Sequence, residues 1–215
     1  MTTERLDTEG SLSLFNDLKR LKNIADLGLL YAKNGYDTER YEEIKELSLH
    51  WMSRLLDEPI VTVKGFYKEE TDYPTPKVDV RAFVLNDNQE ILMVREHADG
   101  LWSLPGGWAD IGCTPSEVAV KEVKEETGLH VGPLSMVAIF DKKCHPHPPQ
   151  AYYVYKIVIH CKMLSNNLLK GFDILDTAFF SIDNLPPLST NRILKSQIET
   201  VFNHIKEGKK EAIFD

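Results

Sequence analysis

Three glutamates within the stretch EVKEETG are the side chains of this sequence best suited to chemistry. Glu122, Glu125 and Glu126 share a sector roughly 100° wide on a helix, because residues three and four apart lie on one face. Carboxylates that gather beside a buried face are costly unless something compensates their charge. Hard divalent cations prefer carboxylate oxygens, so the cluster predicts a metal site. The alternative is a solvated acidic face, which the i,i+4 spacing of Lys121 and Glu125 favours.

The helix that carries these acids has capping signals in the sequence at both of its ends. Thr114 is a favourable N-cap, Pro115 suits the first helical position, and Glu117 completes a capping box. Gly128 suits the left-handed conformation that ends many helices. These signals predict a helix from Pro115 to Thr127 with its apolar side against a sheet. The glycine-rich run LPGGWADIG before it allows the backbone to approach a ligand closely.

The pattern from Gly107 to Leu129 resembles the signature of the Nudix hydrolases. That signature is a glycine, five residues, a glutamate, seven residues, and then Arg-Glu-aliphatic-any-Glu-Glu-any-Gly-aliphatic. The spacing is complete here, but Cys113 stands at the first glutamate and Lys121 at the arginine. We hypothesise that the two usual residues brace the corner between loop and helix, and that packing replaces this brace in the present chain.

The resemblance implies hydrolysis of a diphosphate that joins a nucleoside to a second group X, with Mg²⁺ or Mn²⁺ as cofactor. Glu122, Glu125 and Glu126 would hold the cation, with the carbonyl of Gly106 as a further ligand, and one of the glutamates would act as base. The stretch LGLLYAKNGYDTERYEEIKELS is similar to the helical extension of bacterial ADP-ribose and CDP-choline pyrophosphatases. This likeness makes ADP-ribose and CDP-choline the first candidate substrates.

Four other side chains are candidate substrate contacts. Arg81 on the first predicted strand and Arg95 at the end of the second are placed to bind a phosphate, although each can instead form a structural ion pair. His97, beyond the second strand, is a candidate pocket residue, and its alternative is a solvated strand end. Trp108 in the glycine run is a candidate ring for stacking on a base, and its alternative is a packing role.

A small helical domain is predicted for residues 1–66. Apolar residues recur every three or four positions from about Ser11 to Leu56. Gly35 is expected to end a first helix and Asp37 to cap a second. Such a helical pair is either a structural cap or a dimerisation element, and the second interpretation predicts a homodimer.

A Nudix hydrolase domain is predicted for residues 67–215, because the apolar period changes to two after KEETDYPTPK. KVDVRAFVL and ILMVRE are expected to pair as a hairpin, and further strands follow. A final helix is expected after Ser189 or Thr190 as its cap. The fold class is therefore α/β. The resemblance implies a Nudix-type α/β/α sandwich with a mixed sheet, preceded by the small helical domain.

Composition restricts the partners and the location. The chain has 215 residues and a net charge of −8, which argues against an open nucleic-acid surface, so neither DNA nor RNA is an expected partner. No apolar run approaches the roughly 18 residues of a membrane span. The polar start MTTERLDTEG is unlike a secretory signal, and three scattered cysteines suit a reducing compartment, so a cytoplasmic protein is predicted.

Two other functions stay open at this point. Removal of pyrophosphate from RNA 5′ ends is compatible with the signature, although the acidic balance weakens it. A non-catalytic nucleotide sensor is the third hypothesis, and only the replacements Cys113 and Lys121 support it.

Overall fold

The computed structural model describes residues 9–67 and 73–215, and it divides into two compact units. The first unit contains the described residues up to Thr75 together with Pro148–Tyr152, and the second contains Pro76–His147 and Tyr153–Asp215. The predicted boundary between residues 66 and 67 stays a prediction, because part of the segment KEETDYPTPK lies outside the described residues. The segment MTTERLDT, used in the prediction about a secretory signal, also lies outside them. Within residues 9–67 and 73–215, no helix is both long and apolar enough to cross a bilayer.

The first unit contains three helices, α1 (Glu9–Tyr31), α2 (Gly35–Leu56) and α3 (Ile60–Phe66). They share a core of buried apolar side chains, namely Phe15, Leu18, Leu49, Met52, Leu56 and Val63. The two long helices confirm the sequence prediction, whereas the short α3 was not predicted. Gly28 lets α1 and α2 approach closely, since a Cβ at this position would lie 2.3 Å from the ring of Tyr41.

Asn34, and not Asp37, caps the second helix. Its side chain accepts a hydrogen bond from the backbone N–H of Asp37 at 2.9 Å, and its amide donates to the Asp37 carboxylate at 2.7 Å. Gly35 therefore begins α2 instead of ending α1. The prediction was wrong because Asn and Asp are equally good caps, and both stand close to the break in the apolar pattern.

The second unit contains a mixed sheet and two helices, α4 (Pro115–Thr127) and α5 (Lys195–Lys206). Its strands are β1 (Lys77–Leu85), β2 (Ile91–Glu96), β3 (Trp102–Ser103), β4 (Gly106–Trp108), β5 (Val131–Asp141), β6 (Val154–Met163), β7 (Ile174–Phe180) and β8 (Ile213–Phe214). The strand order is β3-β2-β1-β6-β5-β8, with β4 paired to β1 and β7 paired to β2. The pairs β1–β6 and β5–β8 are parallel, and the other pairs, including the predicted β1–β2 hairpin, are antiparallel.

Helices cover the sheet on both faces because side chains alternate along its strands. On β1, Val80 and Ala82 pack in the same apolar cluster as Val118 and Val123 of α4. Phe83 points the other way, into a second cluster that includes residues of α5. Burial of each such aliphatic or aromatic side chain contributes about 1.5–3 kcal/mol. This arrangement confirms the predicted α/β/α sandwich with a mixed sheet.

The ends of α4 match the sequence prediction, whereas the start of α5 does not. Thr114 caps α4 in a complete capping box with Glu117, and Gly128 adopts the left-handed conformation at φ 70°. The predicted caps of the last helix, Ser189 and Thr190, lie before its start at Lys195. The hydroxyl of Ser189 donates instead to the carboxylate of Asp99 at 2.6 Å, a contact between distant parts of the chain.

Candidate active site

The last two turns of α4 hold Glu122 and Glu126 against the glycine run. The carboxylate of Glu126 accepts a hydrogen bond from the backbone N–H of Gly106 at 3.0 Å. A Cβ on Gly107 would lie 2.8 Å from a carboxylate oxygen of Glu122, and a Cβ on Gly106 would lie 2.1 Å from the carbonyl oxygen of Val80. Gly106 also has φ +143°, which other residues rarely adopt. Glycine is therefore required at 106 so that the run can pack against β1, and at 107 so that its backbone can approach the Glu122 carboxylate.

The carboxylates of this corner are in an environment that disfavours their charge. Burial, followed by repulsion from Glu122 and Glu96, raises the pKa of Glu126 to about 8, although Arg81 and the Gly106 N–H oppose the rise. Burial and the neighbouring Glu125 likewise raise the pKa of Glu122. A group that binds here and carries positive charge would be stabilised by the same carboxylates.

The three glutamate side chains are of a type that binds divalent cations, but they do not converge into a complete set of ligands. Within the described parts of the chain, no three His, Cys, Asp or Glu side chains converge closely enough to hold a metal. Glu122 and Glu126 face the glycine run, whereas Glu125 is exposed and has its carboxylate 4.0 Å from the ammonium group of Lys121. Paired carboxylates beside a backbone carbonyl are a donor set that Mg²⁺ and Mn²⁺ accept. The roles of Glu122, Glu125, Glu126 and Gly106 as metal ligands stay a prediction.

An ion pair braces the corner between the glycine run and α4. The ammonium group of Lys121 lies 2.6 Å from the carboxylate of Asp110, and both side chains are partly exposed. Cys113, three residues after Asp110, is exposed. The hypothesis that packing replaces the brace is therefore wrong, because Asp110 supplies the carboxylate from a different position of the loop.

We expect Asp110→Asn to weaken activation by the cation without abolishing activity. Loss of an exposed ion pair leaves Lys121 and the end of the loop freer, so the Mg²⁺ concentration for half-maximal activity should rise about 2- to 5-fold. Titration of activity with Mg²⁺ measures this shift. Lys121→Arg preserves the charge and should behave as wild type, and an equal shift in Asp87→Asn, an exposed site elsewhere, would contradict the bracing role.

A buried group of charges lies on the α5 face of the sheet. Arg81 contacts the carboxylate of Asp79 with Nε and a terminal nitrogen, each at 3.0 Å, and its other terminal nitrogen donates to the carbonyl of Leu104 at 3.0 Å. Lys156 on β6 forms an ion pair with the same Asp79 carboxylate and is fully buried. These are the contacts of a structural ion pair, the alternative that the sequence left open for Arg81. Its role as a phosphate contact stays a prediction.

Sequence reasoning missed Asp79 and Lys156, although a signal was present. Asp79 and Arg81 are two residues apart on one strand and therefore point to the same face. Lys156 is a charged residue directly before the apolar run at residues 157–159 of β6, and a charge buried there is costly unless it is paired. Only the parallel pairing of β1 with β6, in which Asp79 is opposite Lys156, brings the charges together.

The other predicted substrate contacts lie at two different places. Trp108 is 53% exposed on β4, directly after the glycines, with the ammonium group of Lys77 5.7 Å from its ring. Arg95 is exposed at the end of β2, where its Nε donates to the carbonyl of Gly100 at 2.8 Å. His97 is exposed in the turn after β2. The structure thus brings Trp108 to the glutamates' loop and leaves Arg95 and His97 at the strand end.

Two family models match most of the chain. The one described as the NUDIX domain matches residues 75–200. The one described as a UDP-X-like, N-terminal oligomerisation domain matches residues 13–67.

Several known proteins are similar to this chain over long stretches. YjhB of Bacillus subtilis, whose ADP-ribose pyrophosphatase assignment is provisional, is 44% identical over 92% of this chain and 94% of its own. A crystal structure of a UDP-X diphosphatase is 33% identical, covers 95% of this chain and 99% of its own, and has a TM-score of 0.61. An ADP-ribose pyrophosphatase structure from Streptococcus suis is 38% identical, covers 66% of this chain and 100% of its own, and has a TM-score of 0.59.

Proposed function

The chain belongs to the Nudix hydrolase family, and we propose that it cleaves the diphosphate of nucleoside diphosphate derivatives with the help of Mg²⁺ or Mn²⁺. One observation carries the proposal. Two of the signature glutamates lie on consecutive turns of α4 at the glycine run: Glu126 is hydrogen-bonded to the N–H of Gly106, and the carboxylate of Glu122 lies beside Gly107. The names of similar proteins make ADP-ribose and UDP-linked compounds the first candidate substrates, and CDP-choline is the next. A cytoplasmic location stays a prediction.

The chain's own residues prepare the site in two ways. The N–H of Gly106 orients the Glu126 carboxylate, and the positive charge of Arg81 lowers the cost of the carboxylate's negative charge. Glu122, Glu125, Glu126 and the Gly106 carbonyl are the groups that would hold the cation. When bound, the cation would supply neutralisation of the diphosphate oxygens and activation of a water molecule. One of the three glutamates would serve as the general base that takes a proton from the attacking water.

A substrate panel tests this proposal. ADP-ribose, a UDP-sugar, CDP-choline and a 5′-triphosphate RNA are incubated with the protein and with Mg²⁺ or Mn²⁺, and products are separated by anion-exchange chromatography. We expect a nucleoside monophosphate and a phosphorylated X group, formed only in the presence of the cation. Cleavage of RNA alone would favour the RNA 5′-pyrophosphohydrolase, and binding without any cleavage would favour the nucleotide sensor.

We also propose that the first unit forms a homodimer. A groove of about 580 Å³ lies between α1 and α2, and nearly all of its lining is apolar: Leu14, Leu18, Leu21, Ile44, Leu47, Ser48 and Trp51. Leu47 and Trp51 are each about half exposed, and apolar patches of this kind mark interaction surfaces. The match to a family model described as an oligomerisation domain supports a second copy of the chain as the partner.

Leu47→Glu should therefore convert a dimer into a monomer. The side chain is 51% exposed, so a charge there leaves the folded unit intact but disfavours burial of the groove. Sedimentation velocity measures the change in mass. Val61→Glu is the matched control, because Val61 is 74% exposed on α3 outside the groove and should leave the dimer unchanged. A monomeric wild type would contradict the proposal.

A further inference from the structure

The loop between β6 and β7, residues 164–173, is tied to the end of α4. The N–H of Leu169 donates to the carbonyl of Thr127 at 2.8 Å, and the N–H of Gly171 donates to the carbonyl of Glu126 at 2.9 Å. The last carbonyls of a helix have no partner within the helix, so these bonds satisfy two of them. The β6–β7 loop is consequently held against the turn that carries Glu126.

The contact between the β6–β7 loop and α4 leaves no free space. A Cβ on Gly171 would lie 2.2 Å from the carbonyl oxygen of Glu125 and 2.9 Å from the Cα of Glu126. On one side of this contact, Leu168 packs against the apolar cluster beneath α4. On the other side, Ile174 is 3% exposed and begins β7. The loop is therefore anchored on both sides of Gly171.

Phe172 stands between these anchors with 96% of its surface exposed. Single exposed apolar side chains are common and need no function by themselves. This residue directly follows the glycine that touches the backbone of Glu125 and Glu126, so the position of its backbone relative to the glutamates is restricted. An exposed aromatic ring on a backbone that is anchored beside the turn of Glu126 is suited to stacking on a base.

We propose that Phe172 is a specificity-determining residue whose ring stacks on the nucleobase of the substrate. This inference rests on the proposed function, in which the diphosphate lies at Glu122 and Glu126. A nucleobase is flat and is joined to the diphosphate through a ribose, so it lies next to the cleaved bond but outside the carboxylate cluster. The β6–β7 loop presents the exposed ring of Phe172 next to the backbone contacts that it makes with the end of α4.

Steady-state kinetics of Phe172→Ala test the stacking. On the best nucleoside substrate of the panel, kcat/KM should fall about 5- to 100-fold, chiefly through a higher KM, because one stacking contact is lost. On a diphosphate ester of ribose that carries no base, the change should stay below about twofold. Phe172→Trp preserves an aromatic surface and should retain the wild-type kcat/KM. Leu164→Ala, at a 61% exposed site of the same loop, is the matched control and should have no effect.

Calorimetric binding of the corresponding nucleoside monophosphate separates failure of this inference from failure of the proposed function. If wild type cleaves the substrate and Phe172→Ala matches it in kinetics and binding, the stacking is refuted. If Trp108→Ala alone reduces kcat/KM in a base-dependent way, the base lies on Trp108 and the inference is again refuted. If wild type binds the nucleotide without cleaving any substrate and Phe172→Ala weakens this binding, the proposed function fails and the stacking stands. If wild type does not bind the nucleotide, the stacking is refuted.

Discussion

Replacement of Glu126 by Gln is expected to lower kcat by about 10²- to 10⁴-fold, the range associated with loss of a group that moves a proton or orients one. Glutamine keeps the size of the side chain and retains an oxygen that accepts from the N–H of Gly106, but it removes the negative charge. The loss should therefore appear in kcat at saturating cation, with the fold intact. Turnover of the best panel substrate measures the loss in kcat, and the thermal unfolding midpoint checks that the fold is intact.

Glu117→Gln is the matched control for this loss. Glu117 lies on the same helix and accepts from the backbone N–H of Thr114 in the capping box. Glutamine can serve in a capping box as well, so this variant should keep both its kcat and its fold. Unchanged activity in Glu126→Gln would place the catalytic cation away from Glu126 and would contradict the proposed site.

Asp79→Asn is expected to lower the free energy of unfolding by about 3–5 kcal/mol. The carboxylate of Asp79 is shared by Arg81 and Lys156, all three residues being at most 5% exposed. Removal of the anion leaves Lys156 without its carboxylate partner and leaves Arg81 with the carboxylate of Glu96, which is 3.8 Å away. Burial of an uncompensated charge is costly. Chemical denaturation monitored by tryptophan fluorescence measures the loss.

Two companion variants distinguish a buried charge from a general effect of the substitution. Asp87→Asn makes the same change at an exposed turn and should alter stability by less than about 0.5 kcal/mol. Addition of Lys156→Met to Asp79→Asn should restore part of the stability, because one unpaired cation is removed. A double variant as unstable as Asp79→Asn alone would contradict the electrostatic explanation.

The buried charges of Asp79, Arg81 and Lys156 also predict that the stability of the fold depends on pH. Burial alone would raise the pKa of Asp79, but Arg81 and then Lys156 outweigh it and lower the pKa from 3.8 to about 2. Because the folded-state pKa lies below the unfolded one, the stabilisation is complete above about pH 4 and is lost as the pH falls toward 2. The stabilisation that the lowered pKa of Asp79 contributes is about 2 kcal/mol. The difference in unfolding free energy between wild type and Asp79→Asn should therefore shrink over this interval.

The sequence by itself determined the helix that carries the glutamates. Its cap at Thr114, the capping box with Glu117 and the glycine at 128 involve residues within a few positions of one another, so local rules were sufficient. The spacing of Glu122, Glu125 and Glu126 and the change of apolar period also depend only on near neighbours. These features led to the family, the fold class and the candidate metal site.

Only the tertiary structure decided how this helix is held in place. Asp110 pairs with Lys121 across a turn of the loop, Asp79 meets Lys156 through a parallel strand pair, and Gly171 contacts the end of α4 from a distant loop. Part of the glycine run, expected to be a loop, forms β4 because β1 offers it partners. Contacts of this kind join residues that are far apart along the chain or across a turn. These contacts form only when the helices pack on the sheet, and neither the apolar periodicity nor the helix caps in the sequence predict that packing.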